Sequence, residues 1–272
     1  MRRSVSLVVG AVLVGVVVAL AVVSFLWTPY DPGVVDAPSA LQGPSGAHLL
    51  GTDGFGQDIF SRVLVGARIC MLVGVMAAAI GALIGVPVGI WAGMSRRRVG
   101  HRIMRWADIL YAFPALLLAI LLAAARGTGS TATAMVAIGI SAIPAFARVA
   151  NSASLGVMSR DYVAAARSSG ISWPAIAWRH VLPNILPVVL VQVSSALGTA
   201  ILAEAALSYL GVGTQPSTPT WGRMLYDAQK FIYDHPAQLV VPAVFIATAV
   251  LGFNLLGDGL RELLDPRLRQ ED

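Results

Sequence analysis

Six long apolar runs, separated by shorter polar segments, dominate the chain. Each run is long enough to cross a hydrocarbon core of about 30 Å as a helix. Helical geometry is required because lipid offers the backbone no hydrogen-bond partners. The pattern therefore predicts an all-α integral membrane protein with six transmembrane helices, at residues 5–27, 69–94, 107–125, 132–150, 186–207 and 239–257.

The composition favours a membrane protein over a soluble one. Hydrophobic residues make up 57% of the chain and charged residues 12%, with a mean hydropathy of +0.75. These values lie far from those of ordinary soluble domains. The single cysteine, Cys70, excludes an internal disulfide framework and a cysteine-based metal cluster. The four histidines are scattered, so no metal site is predicted, and the arginines form no aromatic-interleaved patch that would bind nucleic acid.

The distribution of arginines predicts how the spans are oriented. With the N-terminus in the cytoplasm, 14 of the 19 basic residues fall on the cytoplasmic side. We therefore expect a multi-pass protein of a plasma or inner membrane, with both termini on the cytoplasmic side. The five remaining basic residues lie outside, namely Arg62, Arg68, Arg126, Arg223 and Lys230. The first run exceeds the roughly 7 to 15 apolar residues of a cleaved signal peptide and is interpreted as a retained span.

The segment at residues 159–187 is the one polar, helix-forming stretch in the second half of the chain. Ser159 or Asp161 is expected to cap a first short helix, and Gly170 suits the left-handed position that ends one. Ser172 offers the cap of a second helix. One face of that helix is apolar at helical spacing: Trp173, Ile176, Ala177, His180 and Val181. Such a face either packs on a partner or rests on lipid headgroups.

This segment resembles the EAA loop of the permease subunits of ABC importers. The resemblance rests on an Ala-Ala pair, a glycine four residues later and Leu-Pro a further twelve residues on. In that family the loop docks into a groove of the cytoplasmic ATPase and transmits its motion, which the resemblance implies here. It assigns ATPase coupling to Asp161, Ala165, Ala166, Gly170, Trp173, Arg179, His180, Leu182 and Pro183. Ala164 replaces the usual Glu, and His180 replaces a common Ile but is similar to the dipeptide, oligopeptide and nickel branch.

The loop after the first run carries turn residues and two acidic candidates. Its sequence at residues 51–62 resembles the Gly-Thr-Asp-x-x-Gly-x-Asp-x-x-Ser-Arg segment of the same branch. Gln57 stands where an Arg is usual. A short interfacial helix is predicted at residues 59–64. Asp53 and Asp58 are candidates for the translocation pathway or its outer gate.

Two further outer candidates follow the fifth run. Glu204 lies near the outer end of that run, where it reaches water, faces the pathway or ties loops together. Trp221 belongs to a Pro-x-Trp-Gly group. This group, and the pattern Glu-x-x-Leu-Ser-x-Leu-Gly-x-Gly that begins at Glu204, again resemble the peptide and nickel branch. Both residues are interpreted as pathway or outer-gate candidates.

The second run contains a row of glycines at every fourth residue. Such a row lets another helix approach closely where lipid supplies no hydrophobic drive for association. The predicted packing positions are Gly81, Gly85, Gly89 and Gly93. A place along the pathway is the alternative for this row. Prolines are expected to kink the second, third and fourth spans, at Pro87, Pro114 and Pro144.

The chain has no phosphate loop for nucleotide hydrolysis. Lys230 is the only lysine and follows Gln229, so no Gly-Lys-Ser/Thr motif is present. The resemblance therefore implies a non-catalytic permease subunit of a type I ABC importer, which forms half of a pathway for dipeptides or oligopeptides. It implies three kinds of partner: a distinct homologous permease, two ATPase subunits or domains that carry ATP and Mg²⁺, and an extracytoplasmic solute-binding protein. No cofactor is expected in this chain.

The predicted organisation has three parts. Residues 1–68 hold the first helix and outer loop, residues 69–257 the permease core, and residues 258–272 a cytoplasmic tail. Cargo stays open, with nickel, glutathione and haem as alternatives to peptides. An ion-coupled secondary carrier would need ionisable groups at mid-membrane, which the runs lack. A non-transporting assembly subunit fits the composition but leaves the polar segment unexplained.

Overall fold

The computed structural model describes residues 5–126, 130–213 and 218–264, and within these ranges the fold is helical. Five helical segments are long and apolar enough to cross a membrane, and one bent helix pair makes a sixth if it counts as one span. The predicted all-α membrane fold is confirmed. The helices are α1 (Val5–Leu26), α2 (Ile59–Met94), α3 (Arg97–Tyr111), α4 (Ala115–Arg126), α5 (Thr131–Met158), α6 (Asp161–Ser168), α7 (Trp173–Ile176), α8 (Leu182–Tyr209), α9 (Trp221–Ala228) and α10 (Ala237–Leu264).

Helix α2 begins ten residues before the predicted second span. Its N-cap is Asp58, whose carboxylate accepts a hydrogen bond of 2.8 Å from the backbone N–H of Ser61. The separate interfacial helix expected at residues 59–64 is therefore wrong, because these residues form the first turns of α2. Val63 and Leu64 are buried there, so the start of α2 is part of the core.

The third predicted span, at residues 107–125, is wrong as a single helix. Helices α3 and α4 meet at a 75° bend beside Pro114. Proline lacks a backbone donor and disfavours a helical conformation in the residue before it, so the helix ends there. The described part of α4 has 12 residues, or about 18 Å of length, and with the residues beside it this broken segment counts as the sixth span. By contrast, α2 and α5 continue through Pro87 and Pro144.

The glycine row of α2 lies directly against α5. A Cβ atom at Gly85 would lie 2.5 Å from the carbonyl oxygen of Ile143. A Cβ atom at Gly93 would lie 2.8 Å from the Cβ of Ser154. The absence of side chains on this face of α2 therefore lets the two backbones approach closely, as the small-residue pattern predicts.

A second close helix pair joins the two ends of the described chain. Helix α1 packs against α10, and a Cβ at Gly252 would lie 2.9 Å from the Cβ of Leu13. A Cβ at Gly259 would lie 2.5 Å from the Cα of Leu7. The sequence analysis did not single out these glycines because they form no regular row. The contact places the first helix on the outside of the bundle beside the last one.

Helix α8 lies between α10 on one side and α2 and α5 on the other. The hydroxyl of Ser194 donates a 2.6 Å hydrogen bond to the carbonyl oxygen of Phe253 in α10. Close to it, a Cβ at Gly198 would lie 3.4 Å from the carbonyl oxygen of Val250. These contacts fix the middle of α8 against α10. The end of α8 that begins at Leu182 carries the polar segment.

Candidate coupling segment and outer loop cluster

Residues 159–187 form a projection that joins α5 to α8. It contains α6, a bend, α7, a π-helical turn and the first residues of α8. The bend lies at Gly170, whose φ of +78° is in the left-handed region. The predicted left-handed glycine is therefore confirmed. No atom outside its immediate neighbours lies within 4 Å of a Cβ built at this residue, so the glycine serves the backbone conformation and not close packing.

The predicted N-cap is wrong for α6 and confirmed in position for α7. Arg160, and not Ser159 or Asp161, occupies the N-cap position of α6, and its side chain makes no capping hydrogen bond. The Ser159 hydroxyl instead donates to the carbonyl oxygen of Gly156 at 2.9 Å. Asp161 lies in the first turn of α6, where a negative charge is favoured by the helix dipole. Ser172 is the N-cap of α7 without a side-chain hydrogen bond.

Buried apolar side chains anchor the projection to the bundle. Ile176 and Val181 are at most 1% exposed and pack in one cluster with residues of α2 and α5. The expectation of one shared apolar face is wrong for Trp173, which is 47% exposed. His180 is half-buried, with its ring centroid 6.0 Å from that of Tyr162. The predicted face is thus divided between a buried anchor and the partly exposed ring of Trp173, which contacts Arg167 and lines a cavity beside α2.

The projection is continuous with a membrane-spanning helix. A π-helical turn at Ala177–Val181 joins α7 to α8, so one helical segment extends from Trp173 to Tyr209. Leu182 and Pro183 begin α8 directly after the π-helical turn. Pro183 lacks a backbone N–H, so it makes no helical hydrogen bond to that turn. The second helix of the predicted loop is therefore the extension of the fifth span. Any displacement of α7 is passed to α8 without an intervening flexible loop.

The remaining coupling candidates divide by exposure. Ala166 is buried, whereas Asp161, Ala165, Gly170 and Arg179 are exposed. The exposed residues have small or charged side chains. The outer surface of α6 and the bend thus combines small side chains with Asp161 and the 45% exposed ring of Tyr162.

A cavity of about 1020 Å³ separates the projection from the end of α2. Its walls include Ile90 and Met94 of α2 and Ala177 of the π-helical turn. Two arginines, Arg96 and Arg167, also line it. The cavity therefore gives the projection free volume on the side that faces α2.

In the outer loop, both acidic candidates bind groups of the loop itself. The Asp53 carboxylate accepts hydrogen bonds from the backbone N–H groups of Phe55, at 2.8 Å, and Gln57, at 2.9 Å. Besides capping α2, Asp58 lies 2.9 Å from the Nδ1 of His48. Asp53 and Asp58 are 8% and 3% exposed, respectively. Both carboxylates thus hold the loop fold together.

Arg62 connects the outer loop to α9. Its side chain is 5% exposed and forms ion pairs with Asp53 and with Asp227, the latter at 3.3 Å. Gln57, at the position where an Arg was expected, accepts a hydrogen bond from Arg62 through its amide oxygen. The sequence analysis missed this role of Arg62 because Asp227 lies far away in sequence. The presence of Arg62 within the outer-loop motif was the available signal.

Glu204 and Trp221 are enclosed by the packing of the chain. The indole Nε1 of Trp221 donates to the carbonyl oxygen of Val63 at 3.1 Å. The Glu204 carboxylate accepts from the Ser208 hydroxyl at 2.6 Å and from the Cys70 thiol at 3.4 Å. Both side chains are fully buried, so the interpretation that Glu204 reaches water is wrong. The contacts of Glu204 join α8 to α2.

Metal binding has no support in the described geometry. Within residues 5–126, 130–213 and 218–264, no three His, Cys, Asp or Glu side chains are grouped so that they could hold a metal ion.

Four of the basic residues on which the predicted membrane orientation depends lie outside the described residues, namely Arg2, Arg3, Arg267 and Arg269.

Comparison with known proteins identifies the family. The family model of the binding-protein-dependent transport system inner membrane component matches residues 85–270. The chain is 40% identical over 264 residues to the glutathione transport system permease protein GsiD of Pectobacterium atrosepticum, over 95% of this chain and 87% of that protein. It is 38% identical over 262 residues to the dipeptide transport system permease protein DppC of Alkalihalophilus pseudofirmus, over 96% of this chain and 86% of that protein.

A solved structure shares the fold. A chain of the MetNI methionine ABC transporter, in an inward-facing conformation, aligns with a TM-score of 0.62 at 20% identity. The alignment covers 74% of this chain and 95% of that chain. At this identity the likeness shows the architecture alone. Because the family model and both relatives match most of the chain, the protein belongs to the binding-protein-dependent transport system inner membrane components, the permease subunits of ABC importers.

Proposed function

We propose that this permease imports short peptides, with dipeptides and glutathione as the candidate cargoes, and that residues 159–187 couple it to an ATPase. The observation that carries the coupling role is the continuous helical connection between α7 and α8. Anchored at Ile176 and extended through a π-helical turn, α7 moves with a membrane-spanning helix. The cargo class is supported by the relatives, which are named for glutathione and dipeptide transport.

The proposed complex contains two permeases, two ATPase subunits and a solute-binding protein. The ATPases carry ATP and Mg²⁺, and this chain contributes no nucleotide site. ATP binding draws the two projections together and opens the pathway outward, and hydrolysis resets it. The second permease is proposed to be a distinct homologue that supplies the other half of the pathway.

The proposed orientation places the projection and both termini in the cytoplasm. It is supported by the arginines at one end of the bundle, where Arg96 and Arg167 line the same cavity. The test uses a membrane-impermeant maleimide and two exposed positions, Ser168→Cys and Ala37→Cys. Cys70 is fully buried, so the unmodified chain provides a low background. We expect Ser168→Cys to react only in inverted vesicles and Ala37→Cys only in right-side-out vesicles. The reverse pattern would overturn the orientation.

The coupling proposal is tested by placing a long side chain on the exposed face of α6. In Ala165→Arg, we expect the ATPase to be lost when the tagged chain is purified from its own membrane and analysed by mass spectrometry. Ala37→Arg is the matched control, since Ala37 is also exposed but lies in the outer loop. Retention of the ATPase by a folded Ala165→Arg variant would contradict docking at this face.

The cargo proposal requires a separate measurement. We expect cells that lack the gene for this chain to lose uptake of labelled dipeptide or of labelled glutathione, with recovery when the gene is restored. Uptake of nickel and haem is measured in the same cells. A loss confined to nickel or haem would contradict the peptide assignment while leaving the coupling proposal intact.

A further inference from the structure

Helix α3 has three faces of different character. The first packs on the bundle: Gly100 and Ala107 are buried, and a Cβ at Gly100 would collide with the carbonyl oxygen of Ala92. The second is an apolar stripe at helical spacing, made of Val99, Ile103, Trp106 and Leu110. The third is a basic stripe of exposed side chains, Arg98, His101, Arg102 and Arg105. On a helical wheel the apolar stripe borders the packed face, and the basic stripe lies nearly opposite the packed face.

The apolar stripe is uncovered within the chain. Trp106 is 72% exposed and Val99 is 43% exposed. Such large apolar side chains are unfavourable in water, whereas tryptophan is enriched where lipid headgroups meet acyl chains. The stripe therefore indicates contact with lipid at the edge of the hydrocarbon core.

The position of α3 along the bundle agrees with that depth. Asp108 of α3 pairs with Arg148 of α5 at 2.8 Å. Arg148 lies 17 residues after Thr131, which corresponds to about 26 Å along α5 and is close to the thickness of a hydrocarbon core. The 75° bend then turns α3 away from the direction of α4. If α4 and the residues beside it carry the chain across the membrane, this angle turns α3 toward the membrane surface.

The charge of α3 selects among lipids. Asp108 is its one acidic residue, and that carboxylate is paired with Arg148. The basic stripe is therefore a net positive surface. Each basic residue near an anionic membrane surface adds to the electrostatic attraction between the helix and that membrane.

From these observations we infer that α3 is an interfacial helix that binds the headgroups of anionic phospholipids through Arg98, Arg102 and Arg105. The apolar stripe enters the upper acyl region beside them. The bound lipid contacts a helix that packs on both α2 and α5, the two helices that meet along the glycine row. The lipid composition of the membrane therefore acts on the permease core, independently of which cargo is carried.

The depth of α3 is tested by spin labelling of the full chain in vesicles of phosphatidylglycerol and phosphatidylcholine. Trp106→Cys and Arg102→Cys are labelled one at a time, with the unmodified chain as the control for the buried Cys70. We expect the label at 106 to be relaxed by oxygen and the label at 102 by a water-soluble nickel chelate. Relaxation of the label at 106 by the nickel chelate would place this face in water. Shielding of that label from both reagents would make it a protein interface, and either result overturns the proposal.

Headgroup selectivity is tested with a triple variant, Arg98→Gln, Arg102→Gln and Arg105→Gln. The matched control removes three other exposed arginines, by Arg160→Gln, Arg179→Gln and Arg261→Gln. Binding of phosphatidylglycerol to the purified chain is measured by native mass spectrometry. We expect the first triple to bind it about 100-fold more weakly, with the control close to the unmodified chain. Equal loss in both triples, or binding by the first within twofold of the unmodified chain, would overturn the assignment.

Discussion

At the scale of single residues, the atoms around a glycine determine whether a Gly→Ala substitution stabilises or destabilises the fold. Gly89 of α2 faces α5, and a Cβ at this position would collide with the carbonyl oxygen of Ala147. Gly156 of α5 has no atom within 4 Å of the same position, outside its own helix backbone. Both residues are helical, so alanine improves helix propensity equally at each. The two sites differ mainly in packing, and Gly156 also lies in the last turn of its helix.

We therefore predict opposite effects of one substitution. Gly89→Ala should destabilise the fold by roughly 1 to 3 kcal/mol, because the helices must separate to admit the methyl group. Gly156→Ala should stabilise it by about 0.5 to 1 kcal/mol, because the helix gains propensity without a clash. Thermal unfolding of both purified variants in one detergent measures the difference. A Gly89→Ala variant as stable as Gly156→Ala would contradict the close contact between α2 and α5.

A second residue-scale prediction compares a buried arginine with an exposed one. Arg62→Ala leaves the carboxylates of Asp53 and Asp227 without their shared cation in a site that is 5 to 12% exposed. The expected loss of stability is about 3 to 5 kcal/mol. In Arg148→Ala, the broken pair with Asp108 is more than half exposed, so the expected loss is about 0 to 1 kcal/mol.

Thermal unfolding and limited proteolysis of the outer loop measure this contrast. We expect the loop of Arg62→Ala to be cleaved faster than that of the unmodified chain. Equal stability of the two variants would show that Arg62 does not hold the outer loop against α9.

At the scale of elements, the bend of the projection tests whether a backbone conformation transmits coupling. Gly170 is left-handed and surrounded by open space, so a substitution there acts through the backbone alone. Gly170→Val should cost roughly 1 to 2 kcal/mol locally and reduce transport. Gly170→Asn is the matched control because asparagine tolerates the left-handed region. Unchanged uptake of cargo in Gly170→Val would count against the bend as a coupling element.

The sequence predicted those elements whose form depends on local chemistry. The left-handed Gly170 follows from the neighbouring residues, and the glycine row of α2 is visible as a spacing. The break at Pro114 was expected only as a kink. Pro87 and Pro144 lie within continuous helices, whereas α3 and α4 separate beside Pro114, and α3 also packs on Ala92 of α2 through Gly100. Local sequence does not contain that contact.

At the scale of the whole molecule, apolar length was sufficient to predict a helical membrane fold but not its pairings. Arg62 and Asp227 meet across 165 positions of sequence, and Glu204 and Cys70 across 134. Long-range partners of this kind depend on how the helices are arranged, which the lengths of apolar runs do not specify. The role of Glu204 therefore stayed open until its surroundings were known.

The pairing of α1 with α10 gives a prediction for the assembled fold. In a double variant, Leu13→Cys with Gly252→Cys, the two Cβ atoms lie close enough for a disulfide after a small adjustment, since the gap at Gly252 is 2.9 Å. We expect mild oxidation to join the two peptides, as detected by mass spectrometry of an unreduced digest. Gly15→Cys with Gly252→Cys is the control, because a Cβ at Gly15 contacts nothing within 4 Å. Equal disulfide formation in the two double variants would contradict the packing of α1 against α10.

The attachment of α8 to α10 has a consequence for how the two ends of the molecule move. Ser194 and Gly198 fix α8 near its middle. From there the helix extends 12 residues back to Leu182 and 11 residues on to Tyr209, which are arms of about 18 Å and 16 Å. A rod that tilts about this pivot moves its two ends by nearly equal distances in opposite directions. If α8 lines the proposed pathway, such a tilt narrows one end of the pathway as it widens the other.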